Sequence, residues 1–483
     1  MSSVRAAFGA PERPELTRAA ALAAGTALVA FLGIRQLGAA GILAPLAVSL
    51  LLILLQRPVG AMALLFVLTV VCEGPTFGFL HFTSHLYVEV FKGLTLLDML
   101  VVVSILAVGL DVIGRRRAIY IPRPLMPMAV VLLLAMVASA ITGSAHGQSL
   151  RAVTLLQNLL AYLLVLPIVV ANLDLSRRKI AIFLGCVMAL AAIKAVFGLI
   201  EIASGQGASI EGTARLTYYE PTANWLIMIS FFAVCAALVG KVRSPRWMLI
   251  CSPLLLICLT LSYRRSFWIA ALLGIVLVVL LGLSPTGRRV LVPTAVLVCV
   301  AVLLIGSVSV QSQSPVVKRF ESLSPTSLDQ NAQANYRNDE RANVLHAISE
   351  NPITGLGINV PWSATARTLS VEHEEGRLYV HFAALWFWLK LGILGLVAYV
   401  LFIAGALVLS WKVWRDSAEP VFRVFGLASL AGWLGLIPIE ATATFTGVDP
   451  RFTVLIGIQL GVLALLVRDK SNVTSRGLVP ATE

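Results

Sequence analysis

The sequence predicts an all-α polytopic membrane protein of about 12–14 transmembrane helices, with one large extracytoplasmic loop containing short helices. Three observations predict it. Hydrophobic residues make up 58% of the 483-residue chain and charged residues only 13%, roughly half the charge a soluble domain uses to cover its surface. Apolar runs of spanning length recur between Ala19 and Val467, among them Arg123–Gly143, Ala152–Asn172 and Ser266–Leu283. The basic residues between those runs alternate in density along the chain, which is how orientation is written into membrane proteins.

The runs must be helices, because hydrocarbon offers no partner for a free backbone amide. One set of connections carries Arg13 and Arg18, Arg57, Arg115–Arg117, Arg177–Lys179, Lys241 with Arg243 and Arg246, Arg288-Arg289, Lys412 with Arg415, and Arg468 with Lys470. The positive-inside rule makes this set cytoplasmic and puts both termini with it. The opposite set is then extracytoplasmic: Glu73–Lys92, Ser144–Arg151, Ala203–Asn224, the turn at Tyr263–Arg265, the stretch from Gln311 to Val380, and Glu440–Arg451. The region Ser84–Leu97 is a weak candidate span. Three regions follow: an N-terminal transmembrane bundle over 1–307, the extracytoplasmic loop over 308–380, and C-terminal helices with a short cytoplasmic tail over 381–483.

The formal charge of +13 is spread through short loops, so it encodes orientation and gives no case for nucleic-acid binding. All six cysteines lie in or beside apolar runs and read as small buried residues, not as a disulfide framework or zinc site. No cleavable signal precedes the first span. All six histidines fall in the extracytoplasmic set or at its edge, which either is chance or places imidazole chemistry outside.

Within the loop, Gln311–Asn335 is rich in Ser, Gln and Asn and reads as flexible. Arg337–Ser349 has Ala342, Leu345, Ala347 and Ile348 near helical spacing and predicts a short amphipathic helix. Asn351-Pro352 ends it, because the residue before a proline avoids the helical region. Gly355-Leu356-Gly357 makes a turn, and Trp362 is expected at the membrane interface.

Four arginines and one histidine are the candidate site. Arg264 and Arg265 oppose the orientation rule, so they either snorkel to headgroups or form an anion site, where guanidinium grips phosphate through paired donors. Arg337 and Arg341 lie one turn apart, with Asp339 and Glu340 between them, and form either part of that site or a solvated charge cluster. His381 stands where the loop returns to the membrane; Gly392, eleven residues on, shares its helix face, and Gly392 and Gly395 would admit a neighbouring helix. Such a histidine is either structural or a proton acceptor. His81 and His85 lack an evident third metal ligand, and His373-Glu374-Glu375 lacks the second histidine of a zinc-protease helix. Asp98, Lys194, Glu201 and Lys390 sit in or near spans, where charge either serves function or pairs across helices.

Three blocks of the chain resemble the O-antigen ligase and O-antigen polymerase superfamily of membrane glycosyltransferases. Ser262–Trp268 is similar to its Ser-Arg-Gly-x-Trp-type segment, with Arg265 at the arginine. Arg337–Gly357 is similar to its arginine, short helix and Pro-x-x-Gly-x-Gly turn, and the spacing to Pro352 favours Arg337 over Arg341. His381–Gly395 is similar to its histidine followed eleven residues on by Gly-x-x-Gly, although Phe382 stands where the family has a polar residue.

The resemblance implies a plasma-membrane enzyme that ligates or polymerises a polyprenyl-pyrophosphate-linked glycan at the extracytoplasmic face, with no metal or cofactor. Its partners would be that donor, a glycan or lipid-glycan acceptor, and membrane lipids. Arg264, Arg265, Arg337 and Arg341 would bind the pyrophosphate and His381 would activate the acceptor hydroxyl. A secondary transporter or flippase of lipid-linked glycan is the competing class. It would place its charges near mid-bilayer and show symmetry between halves, whereas the charges here gather at one membrane edge.

Overall fold

The computed structural model describes residues 44–72, 86–91, 94–205, 209–210, 213–214, 221–242, 246–282, 332–369 and 376–476. The spans predicted within 1–43 and 283–307, the stretch predicted as flexible up to residue 331, and His81, His85 and His373 lie outside those residues; residues 332–335, also predicted as flexible, are helical. The chain runs α1 (Ala44–Gln56), α2 (Pro58–Val71), a hairpin of β1 (Glu89–Phe91) and β2 (Leu94–Thr95), α3 (Leu96–Gly114), a 3-10 turn Arg123–Leu125 leading into α4 (Met126–Ala145), α5 (Leu150–Ala171) and α6 (Arg177–Ala203). A two-residue hairpin, β3 (Ser209–Ile210) with β4 (Thr213–Ala214), precedes α7 (Pro221–Val239), α8 (Arg246–Leu261) and α9 (Arg265–Gly282). After the loop helix α10 (Ala332–Glu350) come α11 (Ala383–Asp416), α12 (Pro420–Glu440) and α13 (Pro450–Arg476).

Among the described residues, eight helices are long and apolar enough to cross a membrane. Helices α1 and α2 pass the same test together but are bent by 115°, the geometry of a broken span or a re-entrant loop. Pro58 causes the bend: it has no N–H to continue α1, yet its fixed φ suits the first position of α2. The all-α polytopic class therefore stands. Ser84–Leu97 is no span; Glu89 pairs with Thr95 and Phe91 with Leu94 in an antiparallel hairpin.

Burial sorts the helices. In α13, 89% of the apolar window is buried, and in α7 78%, whereas α9 buries 28%; α7 and α13 are central, and α9 turns most of its surface outward. Small residues allow the close crossings. Gly457 and Gly461 of α13 lie against Leu166 and Val170 of α5, and Gly435 of α12 lies against Ala270 of α9.

The connections separate to two ends, as the charge alternation predicts. At one end Arg115 pairs with Asp111 at 2.8 Å and Asp174 at 2.5 Å, and Arg177 pairs with Glu419 at 3.3 Å. Arg468 there donates to the carbonyls of Ala171 at 2.6 Å and Leu173 at 3.0 Å. Beside it burial pushes the Tyr120 phenol up, with Arg468 and Arg123 pulling it partly back. The long loop packs at the other end. Asp98, a charge in a span and so a functional candidate by default, is a helix cap. Its Oδ2 accepts the Thr95 N–H at 2.7 Å, its own N–H donates to the Thr95 hydroxyl at 3.2 Å, and the Tyr162 hydroxyl donates to Oδ1, which completes a capping box.

Candidate active site

The loop is anchored to the membrane helices through a break in α11. Gly392 adopts φ 69°, ψ −167° inside that helix, a conformation essentially confined to glycine. The break leaves backbone groups without helical partners, and the Asn351–Gly357 turn supplies them. Leu356 N–H donates to the Leu389 carbonyl at 2.7 Å, and Ile393 N–H donates to the Ile353 carbonyl at 3.1 Å. The Trp388 indole donates to the Pro352 carbonyl at 2.8 Å. Deeper in the turn, the Ser139 hydroxyl donates to the Lys390 carbonyl at 2.6 Å and accepts Ile358 N–H at 2.8 Å. The Lys390 side-chain nitrogen donates to the Val360 carbonyl, so this buried lysine is bound to the loop's backbone.

This corrects two expectations. Gly392 does not share a helix face with His381, because α11 begins at Ala383 and breaks at Gly392. What approaches Gly392 is the loop turn, not a neighbouring helix. Trp362 is not an interfacial residue: it is 1% exposed, and its indole donates to the Tyr379 carbonyl at 3.0 Å.

The loop helix α10 ends at Glu350, ahead of Asn351-Pro352, as the proline predicts. Its buried face is Tyr336, Glu340, Asn343, Val344, Ala347 and Ile348, a run at about 3.6-residue spacing. Leu345, counted on the apolar face from the sequence, is 40% exposed. Asn343 clamps the next segment: its Oδ1 accepts the N–H groups of Ala366 at 2.8 Å and Arg367 at 2.9 Å, and its Nδ2 donates to the Arg367 carbonyl at 2.8 Å.

Glu340 and His381 meet behind this helix. The carboxylate is 1% exposed and the histidine 7%. Glu340 Oε2 accepts the His381 backbone N–H at 3.1 Å, and His381 Nδ1 lies 3.1–3.2 Å from both carboxylate oxygens. The rings of Tyr379 and Tyr336 stand edge-on to the imidazole at 5.0 and 6.0 Å. Glu340, which the sequence allows in a solvated charge cluster with Asp339, is instead a buried partner of His381. Asp339 is the solvated member, 3.4 Å from Arg367.

Two of the four arginines contact rings close in the chain or fold to this pair. Arg341 is exposed on α10 and its guanidinium lies 5.8 Å from the Phe382 ring, directly after His381. Arg337, one turn earlier, is half-buried. Arg264 sits before α9 with its guanidinium 5.3 Å from the Phe445 ring. Phe445 belongs to the turn after α12, in which the Thr444 hydroxyl donates to the Val380 carbonyl at 2.5 Å and Thr444 N–H donates to the Tyr379 hydroxyl at 2.8 Å. That turn therefore bridges Arg264 to the residues flanking His381. Glu440 holds the turn, its Oε1 accepting the N–H groups of Phe445 at 3.2 Å and Thr446 at 2.9 Å. Arg265 opens α9, half-buried. The reversal before it is made by Tyr263 at φ 51°, and burial pushes that phenol up.

Oriented imidazole and guanidinium groups at one membrane edge suit proton transfer next to an anionic leaving group. Glu340 escaped the sequence reading because it lies among Arg337, Asn338, Asp339 and Arg341, where composition says solvent. The signal available was its register: Tyr336, Glu340, Asn343, Val344 and Ala347 form one stripe, and an acid on that stripe needs a buried partner.

No curated protein matches the chain. Residues 250–400 match the O-Antigen ligase family, and that stretch contains Arg264, Arg265, α10, the glycine turn, His381 and the break at Gly392. Through this region the chain is similar to the O-antigen ligase family, which supports the resemblance read from its three blocks.

Proposed function

We propose that the loop end of this O-antigen-ligase-like membrane enzyme transfers glycan from polyprenyl pyrophosphate to an acceptor hydroxyl at the extracytoplasmic face of the plasma membrane. The observation that carries the reading is the position of His381, buried with its Nδ1 on Glu340 and bordered by Arg341 at Phe382. The acceptor O–H gives its proton to His381 Nε2 as its oxygen bonds to the anomeric carbon of the donor. The bond from that carbon to the pyrophosphate oxygen breaks, and the electron pair leaves with polyprenyl pyrophosphate. Arg264, Arg265, Arg337 and Arg341 supply positive charge where the leaving group gains negative charge, the electrostatic contribution that dominates such reactions. The charge alternation supports the orientation, since the loop packs at the end opposite the paired basic residues Arg115, Arg177 and Arg468.

The test uses the purified full-length chain with lipid-linked glycan extracted from cells that lack it. Release of polyprenyl pyrophosphate with longer lipid-linked chains identifies a polymerase. Release with glycan on a new acceptor identifies a ligase. Lipid-linked glycan that crosses vesicle membranes unchanged, with no release, replaces the reading with transport.

A further inference from the structure

A carboxylate held away from water is costly unless its oxygens are engaged, and Glu340 at 1% exposure directs both oxygens to one residue. A carboxylate only accepts hydrogen bonds. Oε2 already takes the His381 backbone N–H, so the ring nitrogen facing the carboxylate must also be a donor. When the ring is neutral, its proton is therefore on Nδ1 and its lone pair on Nε2. Tyr336 and Tyr379 meet the ring edge-on, at 79° and 82°, which limits its rotation away from Glu340. Tyr379 is itself fixed through its hydroxyl to Thr444. A histidine that merely filled space would need none of this.

We propose that Glu340 is the positioning residue of His381: it fixes the tautomer that presents Nε2 to the acceptor, and its charge offsets the imidazolium formed when that proton arrives. The proposal rests on the transfer reaction proposed above and adds to it the group that makes the histidine competent. The acceptor's proton moves to Nε2, Nδ1 keeps its own, and the transferred proton later leaves to water. In Glu340→Gln an amide oxygen at the Oε2 place can accept both N–H groups only with the amide N–H₂ set against Nδ1–H from the Oε1 place, 3.2 Å from Nδ1. Turned the other way, the amide N–H₂ opposes the backbone N–H and donates to Nδ1, which moves the ring proton to Nε2 and removes the base.

The experiment compares the full-length wild type, Glu340→Gln, Glu340→Asp, His381→Gln and the Glu340→Gln/His381→Gln pair, with the extracted polyprenyl-pyrophosphate glycan as donor. Glu340→Gln is expected to lower turnover at saturating donor by about 10²–10⁴-fold, the usual worth of a positioned base, with donor KM within about threefold. Glu340→Asp keeps the charge and is expected to recover about tenfold over the Gln variant. The double variant is expected to turn over as slowly as His381→Gln alone, because the two residues act as a unit. Turnover of Glu340→Gln within about threefold of wild type, or a further loss in the double variant, overturns the proposal. A second measurement does not depend on activity: ¹⁵N NMR of histidine-labelled chain, with the His381 signal identified by its loss in His381→Gln. An Nδ1–H tautomer supports the proposal and an Nε2–H tautomer overturns it. A wild-type chain that transfers no glycan but shows the Nδ1–H tautomer fails the reaction reading, while the orientation by Glu340 survives.

Discussion

The Leu356 N–H donates to the Leu389 carbonyl at 2.7 Å, so the loop supplies a hydrogen bond that the break at Gly392 takes from α11. The reciprocal bond from Ile393 to the Ile353 carbonyl makes the turn a two-point plug. His381 lies on the same stretch as the plugged helix, one residue ahead of the Phe382 N-cap. Whatever seats the turn therefore also sets the height of the imidazole.

Gly392→Ala tests this joint. A methyl group at Gly392 would collide with the Ile353 carbonyl oxygen and lie 2.7 Å from the Thr354 carbonyl carbon, with a backbone (φ 69°) that side chains rarely adopt. Strain and collision together are expected to cost about 3 kcal/mol or more. Detergent-solubilised Gly392→Ala should lose its monodisperse fraction well below the melting temperature of the wild type. Leu345→Ala, at a position 40% exposed, should melt as the wild type does. Equal melting of Gly392→Ala and wild type would mean the plug is not structural.

A second prediction concerns planar recognition by Arg264. Its guanidinium lies over the Phe445 ring at 5.3 Å, a geometry that lysine reproduces poorly because an ammonium neither stacks nor binds two phosphate oxygens side by side. Arg264→Lys is expected to lower turnover per bound donor by about 10–100-fold, the equivalent of one charge-assisted hydrogen bond. Arg341→Lys, on the exposed face of α10, should lose less. Steady-state turnover with the extracted donor measures both, and an unchanged Arg264→Lys removes Arg264 from the pyrophosphate site.

The fold class was legible because lipid allows few solutions: apolar runs become helices, and basic loops mark one end. Arg264 and His381 stand out as candidates because each breaks a local rule, a cation or an imidazole at an edge where charge is otherwise sparse; Arg341 is marked only by its one-turn spacing from Arg337. Their supports were not. Glu340 is camouflaged by charged neighbours, and only its position four residues after Tyr336 and seven before Ala347 marks it as buried. Gly392 suggested helix packing because a glycine in an apolar run reads the same whether a helix or a turn approaches. Asp98 looked functional because its partners, Thr95 at the cap and Tyr162 on α5, lie at the start of a span and across a tertiary contact.

Asn343 carries the third prediction. It is fully buried and holds the backbone of Ala366 and Arg367 through Oδ1 and Nδ2. Asn343→Ala leaves two N–H groups without this acceptor, at about 1–3 kcal/mol for each that stays dry. The loss is local, because the membrane helices do not depend on this clamp. Tryptic cleavage after Arg367 should therefore accelerate at least about tenfold, with the melting of the membrane bundle unchanged. A cleavage rate equal to wild type would show that the 366–367 segment is held by other contacts.

The last prediction fixes which end faces out. Asn338 lies exposed on α10 at the loop end, and Arg178 lies exposed near the start of α6 at the end where Arg115, Asp174 and Arg468 gather. If the basic end is cytoplasmic, a membrane-impermeant maleimide on intact cells should label Asn338→Cys and spare Arg178→Cys, in a background with the native cysteines replaced. Inside-out vesicles should reverse the pattern. The opposite labelling would put His381 and its arginines in the cytoplasm, and an acceptor outside the membrane would then be beyond the reach of the imidazole.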